Sequence, residues 1–347
     1  MSADREGSVS RPSDSEPTRA DVSGGAQRIV SLLASGTEIV HALGAGDRLV
    51  GISHECDWPV ELLDRPRLSR PRFDPAGLDS GAIDRAVRTA MAEHGSVYEI
   101  DAALLEALAP DLVITQAVCE VCAVPAPGVR DVLQARGIEA RVLSLDAHTI
   151  AEIQESIHQV GAALGLAERA CALLADHGRR IERVERAVAG RQRPRVLALE
   201  WLDPPFTPGH WLPEMIALAG GDSVAGETGG HSAQAAWADL AGLDPDVLIV
   251  MPCGYGLDAS LADADRFAGE LYDVAPRALA AGRAFAVDGS AYFNRSGPRY
   301  VDGIEILAGL LHDEAVPAPD ARVARRWPGS AADRRPVRTG ARTGEMT

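Results

Sequence analysis

Leu105-Glu-Ala-Leu108-Ala-Pro110-Asp111-Leu-Val-Ile114 decides the fold, because the same pattern returns as Leu240-Ala-Gly-Leu243-Asp-Pro245-Asp246-Val-Leu-Ile249. Each copy reads as a helix end, a Pro-Asp turn that no helix runs through, and a short apolar run of the kind that forms a buried strand. Each is followed by a cysteine-bearing loop, then by helical segments and a further strand. The expectation is two related α/β units in one chain.

Outward from those copies, strand-like apolar runs lie at 28–33, 48–53, 111–115, 140–145, 195–200, 246–251 and 283–287, with helical patterns between them. Strands that alternate with helices imply parallel sheets. After the first run, Ser35-Gly36-Thr37-Glu38 offers a capping hydroxyl to a helix at 39–43 that Gly44 ends. Between 149 and 189 one long amphipathic helix is predicted, its stripe running from Ile153, Ile157, Val160, Ala163 and Leu164 to Leu173, Leu174, Ile181 and Val184, with a bend at Gly165. A helix of about 40 residues is about 60 Å long, which suits a rigid connection between two lobes. The predicted fold class is therefore α/β, two Rossmann-like lobes with parallel sheets joined by one long rigid helix. The predicted boundaries are a disordered tail at 1–27, an N-terminal lobe at 28–145, the interlobe helix within 146–193, a C-terminal lobe at 194–313 and a disordered tail at 314–347.

Composition removes several functions. The 347 residues are 46% hydrophobic and 24% charged, as in globular proteins, and no apolar run reaches the length that spans a bilayer. A formal net charge of -16 opposes binding to a phosphate backbone, so no nucleic-acid partner is expected. All 34 basic residues are Arg, which excludes Schiff-base lysines, lysine nucleophiles and the phosphate-binding lysine of nucleotide loops. No nucleophile elbow, zinc-protease motif or dinucleotide fingerprint is present, and no catalytic residue is assigned. Glu38 and Glu200, at the ends of the opening strands of the two halves, read as acid–base carboxylates or as helix-capping and surface groups. Residues 1–27 carry no apolar signal core and no lipid-attachment cysteine, which places the chain in the cytoplasm.

In parallel α/β sheets, ligands bind at the loops beyond the carboxyl ends of the strands. Aromatics are only 4% of the chain, yet Trp58, Trp201, Phe206, Trp211, Tyr255, Tyr292 and Phe293 all fall in such loops. With His210 they form the candidate ligand-binding set, offering flat apolar surface to a large, partly planar ligand. The soft donors cluster there as well: His54, Cys56, Cys119, Cys122, His210 and Cys253. His54, Cys56, Cys119, Cys122 and Cys253 are the candidate metal ligands, for zinc or for the cobalt of a bound ligand. The competing readings are a Cys119/Cys122 redox pair and small buried residues.

With these residues in view, the chain resembles the substrate-binding proteins of ABC importers for cobalamin and ferric siderophores. The resemblance rests on Arg28-Ile-Val-Ser-Leu-Leu-Ala-Ser-Gly-Thr-Glu38, with Ala34 where that family usually has Pro, and on the Pro-Asp strand entries, the long helix and Gly297-Pro298-Arg299-Tyr300-Val301-Asp302-Gly303. It is closest to a cobalamin-binding branch with loops similar to His54-Glu-Cys-Asp-Trp-Pro59, Cys119-Glu-Val-Cys-Ala-Val124, Glu200-Trp-Leu-Asp-Pro-Pro-Phe206 and Gly209-His-Trp211. The resemblance implies a monomeric, non-enzymatic binding protein holding cobalamin, another corrinoid or a related metal chelate between its lobes. It also implies an ABC permease as partner, and a periplasmic or cell-surface location as the alternative to the cytoplasm. The readings from other classes are a cytosolic metal-binding or thiol-redox protein and an enzyme acting on a bound cofactor.

Overall fold

The computed structural model describes residues 25–116 and 124–329. Its strands are β1 Ile29–Ser31, β2 Leu49–Ile52, β3 Ser69–Pro71, β4 Tyr98–Ile100, β5 Leu112–Thr115, β6 Arg141–Ser144, β7 Arg195–Leu199, β8 Trp201–Leu202, β9 Pro205–Thr207, β10 Asp222–Ser223, β11 Ala233–Gln234, β12 Val247–Val250, β13 Ala284–Val287 and β14 Ala324–Arg326. The N-terminal sheet has the order β2-β1-β5-β6, all parallel. The C-terminal sheet has the order β10-β7-β12-β13-β14, parallel except for β14. Two small antiparallel sheets, β3-β4 and β11-β9-β8, decorate them.

The repeated Pro-Asp turn does the same work in both lobes. Asp111 accepts the backbone N–H of Arg28 at 3.1 Å, and Asp246 accepts that of Arg195 at 2.9 Å. Each aspartate also donates its own N–H to the same arginine's carbonyl, at 2.9 and 2.8 Å. The turn before the third strand of each half thus anchors the start of the first, fixing the parallel pairings Val30 with Val113 and Leu197 with Leu248. Once those registers hold, the apolar strands are covered on both faces, as parallel sheets require.

The interlobe connection differs from the expected continuous helix. Ile150–Leu164 and Ala167–Val188 are separate helices, and Gly165 ends the first at φ +70° instead of bending it. Leu166 then donates to Gly161 O and Gly165 to Ala162 O, satisfying carbonyls at the helix end. The first helix carries Ile150 and Ile153 into the C-terminal core and Ile157, Val160 and Leu164 into the N-terminal core. The second returns, with Ala170 in the N-terminal core and Val184 in the C-terminal core. Both helices therefore cross the junction, and the 22-residue second one, about 33 Å long, is the long connecting helix.

Three smaller expectations also change. The first helix runs over Ala34–Ala42 with Leu33 as its N-cap and no side-chain cap, because Ser35 and Thr37 lie inside it. Ordered chain begins before residue 28, since Ala26 donates to Ala163 O at 3.0 Å and Gln27 to Asp111 at 2.8 Å. It continues past 314, where β14 pairs with β13 and Trp327 is buried with its indole N–H on Asp265 at 2.8 Å. The burial of Trp327 holds this segment on the sheet edge although Ala-Arg-Arg has no strand pattern of its own.

Candidate functional site

Residues just past the carboxyl ends of the parallel strands meet across the junction of the lobes. At the first meeting point Glu38, without exposed surface, accepts from Arg295 Nη1 at 3.1 Å and Arg299 Nε at 3.0 Å. Arg295 also donates to Asp57 Oδ2 at 2.8 Å and to the Glu55 carbonyl at 3.2 Å. The guanidinium carbon of Arg299 lies 4.9 Å from the Trp58 ring centroid and 5.4 Å from that of Tyr292, a cation held between one aromatic of each lobe.

At the second point the helix Ser80–His94 of the N-terminal lobe rests its first turn on the C-terminal lobe. Asp79 caps that helix through Ala82 N and pairs with Arg266 at 2.8 Å, while Ser80 Oγ donates to Asp263 at 3.0 Å. A Cβ on Gly81 would stand 2.2 Å from Asp203 Oδ2, so any larger residue here must displace that carboxylate of the C-terminal lobe. Trp201 and Tyr255 pack beside it with ring centroids 5.2 Å apart, and Phe206 is the cross-strand partner of Trp201. Burial, then the charges of Asp263 and Asp79, push the Tyr255 hydroxyl up to about 12.

The third point is made of histidines. One nitrogen from each of His148, His210 and His231 lies within 4.8 Å of the other two, and His148 Nδ1 is 3.2 Å from His210 Nδ1. His148 directly precedes Thr149, the N-cap of Ile150–Leu164, and the Glu152 carboxylate of that capping box accepts the His148 N–H at 2.7 Å. His210 sits at φ +51°, held by its N–H on Gly230 O at 2.6 Å and by the Gly229 N–H on its carbonyl at 2.9 Å. Beneath both loops, Glu200 accepts from Gly209 N at 3.2 Å and from Ser232 Oγ at 2.5 Å. One buried carboxyl thus holds the residue before His210 and the residue after His231. Burial pushes Glu200 up to about 7 against the pull of those two bonds. Burial, then the neighbouring imidazoles, bring His210 down to about 4.

The predicted aromatics therefore form three groups: Trp58 with Tyr292 around Arg299, Trp201 with Phe206 and Tyr255, and Trp211 with Phe293. The third group turns inward. Phe293 has no exposed surface and Trp211 very little, the Trp211 indole N–H donates to the Phe293 carbonyl at 2.8 Å, and both side chains belong to the C-terminal core. Their reading as ligand contacts is corrected accordingly. Cys56 is also a core residue, with Sγ 3.2 Å from Thr37 Oγ1, and burial pushes its thiol up and away from the thiolate a metal requires. His54 engages Ser69 Oγ through Nδ1 at 2.8 Å, its Nε2 lies 2.9 Å from Glu55 Oε1, and no other predicted donor among the described residues joins it there. Cys253 is exposed, and Cys119 and Cys122 lie outside the described residues. Arg295, Arg299, His148 and His231 were not foreseen. The available signal was their position, each in a loop close to a strand or a small-sheet element, as the chosen candidates are.

A two-lobed α/β frame with its side-chain chemistry at the junction is the architecture of a bilobal binding protein. The sequence profile of the periplasmic binding protein family matches residues 29–270, and the chain belongs to that family; it is a ligand-binding protein, not an enzyme. This corrects the cytoplasmic reading of the sequence, because the family and its solved relatives are periplasmic binding proteins. A periplasmic heme binding protein from Pseudomonas aeruginosa superposes with TM-score 0.64 at 22% identity, over 86% of this chain and 97% of that one. The periplasmic vitamin B12 binding protein of Vibrio cholerae gives 0.60 at 21%, over 83% and 97%. An ABC-type Fe3+-hydroxamate transport system protein from Saccharomonospora viridis gives 0.59 at 22%, over 83% and 94%. No curated protein sequence matches the chain.

Proposed function

We propose that the chain is the substrate-binding component of an ABC importer and holds a corrinoid, or a metal chelate of similar size, between its lobes. The observation that carries this reading is the set of partly buried aromatics at strand ends of both lobes: Trp58 facing Tyr292 across Arg299, and Trp201 with Phe206 and Tyr255. Flat rings give contact area to a planar macrocycle at little rotamer cost. The ligands named for the solved relatives, heme, vitamin B12 and Fe3+-hydroxamate, share this chemistry of a metal held in a large chelate.

The test is tryptophan-fluorescence titration of the purified protein with cyanocobalamin, hemin and a ferric hydroxamate in parallel. The corrinoid is expected to quench saturably with 1:1 stoichiometry, and Trp201→Ala to weaken it at least about tenfold, the loss of a desolvated aromatic contact. Saturation by hemin or hydroxamate alone would replace the corrinoid with that ligand, and no saturation by any of the three would overturn the reading.

A further inference from the structure

We propose that His148, His210 and His231 bind a bare divalent cation of borderline softness, Zn2+ in the first instance, at the junction of the two lobes. The site uses none of the aromatic residues assigned to the chelate and does not depend on that reading.

Geometry is the first argument. A tetrahedral zinc with Zn–N bonds of about 2.0–2.1 Å places its donor nitrogens about 3.3 Å apart. The 3.2 Å between His148 Nδ1 and His210 Nδ1 already matches one edge of that tetrahedron. One nitrogen of each histidine lies within 4.8 Å of the others, and His231 is the exposed member. Three imidazoles converging on one point offer a bare ion three ligands, where the metal of a planar macrocycle takes at most two axial ones.

Preorganisation is the second. Two of the three histidines come from different loops of the C-terminal lobe, and those loops are tied by His210 N–H to Gly230 O, Gly229 N–H to His210 O, and the double hold of Glu200 on Gly209 and Ser232. The third is fixed by the capping box at the start of the interlobe helix. His210 keeps a left-handed backbone that a β-carbon disfavours, which persists only where surroundings impose it.

Three imidazole nitrogens would leave a fourth position of a tetrahedral ion to water. His148 lies between Ala147 and Ile150, both in the C-terminal core, so a bound ion would fasten the start of the interlobe helix to the two histidine loops of the C-terminal lobe. Glu200 is a positioning residue here, holding both loops without touching the ion.

The experiment is calorimetric titration of chelator-stripped full-length protein with zinc chloride, and with cobalt chloride followed by its visible ligand-field bands. The wild type is expected to bind one equivalent of either ion, with intense bands of a four- or five-coordinate Co2+. His231→Ala, at an exposed position, and His148→Ala should each weaken Zn2+ at least about tenfold, as expected for loss of one of three ligands, with far-ultraviolet circular dichroism unchanged. Glu200→Gln, whose carbonyl oxygen can still accept from Gly209 N while its amide N–H donates to Ser232 Oγ, should leave affinity within about threefold, whereas Glu200→Ala should weaken it. Failure of the wild type to bind a stoichiometric ion, weak octahedral Co2+ bands, or equal affinity in the His148→Ala/His231→Ala double variant would overturn the proposal. The Co2+ spectrum of the wild type decides the matter even if a variant misfolds.

Discussion

Arg299 forks onto Glu38 across the lobe junction, with Nε on Oε2 at 3.0 Å and Nη2 on Oε1, while Arg295 takes the same carboxylate from the other side. Glu38 has no exposed side-chain surface, and the two arginines are 10% and 13% exposed, so three charges share one desolvated space. Removing the single anion strands two cations, of which only Arg295 retains a carboxylate, Asp57. Breaking a buried ion pair of this kind costs about 3–5 kcal/mol. Glu38→Ala should therefore lower the urea-unfolding free energy by about that amount, and a loss below about 1 kcal/mol would show that the junction does not depend on it.

Glu200 makes stability fall as pH rises. Its carboxyl titrates near 7 in the folded protein against 4.5 as an ordinary glutamate, so between those values the native state binds more protons than the unfolded state. The contribution is full below about pH 4.5 and is lost as pH climbs through 7, at up to about 1.4 kcal/mol per pH unit. Gln at this position removes the titration, its one carbonyl oxygen still able to accept from Gly209 N and its amide N–H able to donate to Ser232 Oγ. The stability of Glu200→Gln minus that of the wild type should rise between pH 5 and 7; a flat difference in urea melts across that window would contradict the assignment.

His177 works in the opposite sense. Burial, then the charge of Arg180, brings its imidazole down to about 4 from 6.5, and its Nδ1 has no hydrogen-bond partner among the described residues. The unfolded state takes up the proton first as pH falls, so stability is full above about pH 6.5 and lost toward pH 4. Its ring packs edge-on against Tyr300 at 5.2 Å, a contact Phe can repeat. His177→Phe should equal or exceed the wild type at pH 7.5 and gain on it at pH 5, read as the shift in urea midpoint between the two pH values. A midpoint difference independent of pH would remove the imidazole from the account.

Gly165 gives a test of the interlobe connection. An alanine there improves helix propensity if the two helices merge, and destabilises if the left-handed turn holds. A Cβ at this position meets Gly25 N at 3.3 Å, in addition to the cost of φ +70°. Gly165→Ala is expected to lose about 1–2 kcal/mol. A gain in thermal midpoint would mean that the continuous helix is accessible.

By itself the sequence determined the seven main parallel strands, because each is a short apolar run closed by a polar turn, and all but the edge strand β6 are largely buried. Runs predicted at 111–115 and 246–251 became β5 and β12, each trimmed by one or two residues at its ends. The duplication was legible for the same reason, since Asp111 and Asp246 act within their own lobes on the chain immediately beside them in the sheet. What only the tertiary structure decided depends on contacts between distant segments. Amphipathic spacing continues through Gly165 whether the helix runs on or turns back, and it is the packing of Ala170 against Gly161, with Gly25 and Ala26 on the helix end, that selects the turn. Phe293 and Trp211 carried the same local signal as Trp58 and Trp201, yet the core of the C-terminal lobe took the first pair and left the second at the rim. His148 and His231 are 83 positions apart, and no local pattern records that the start of the interlobe helix and a glycine loop of the other lobe end within a metal's reach of each other.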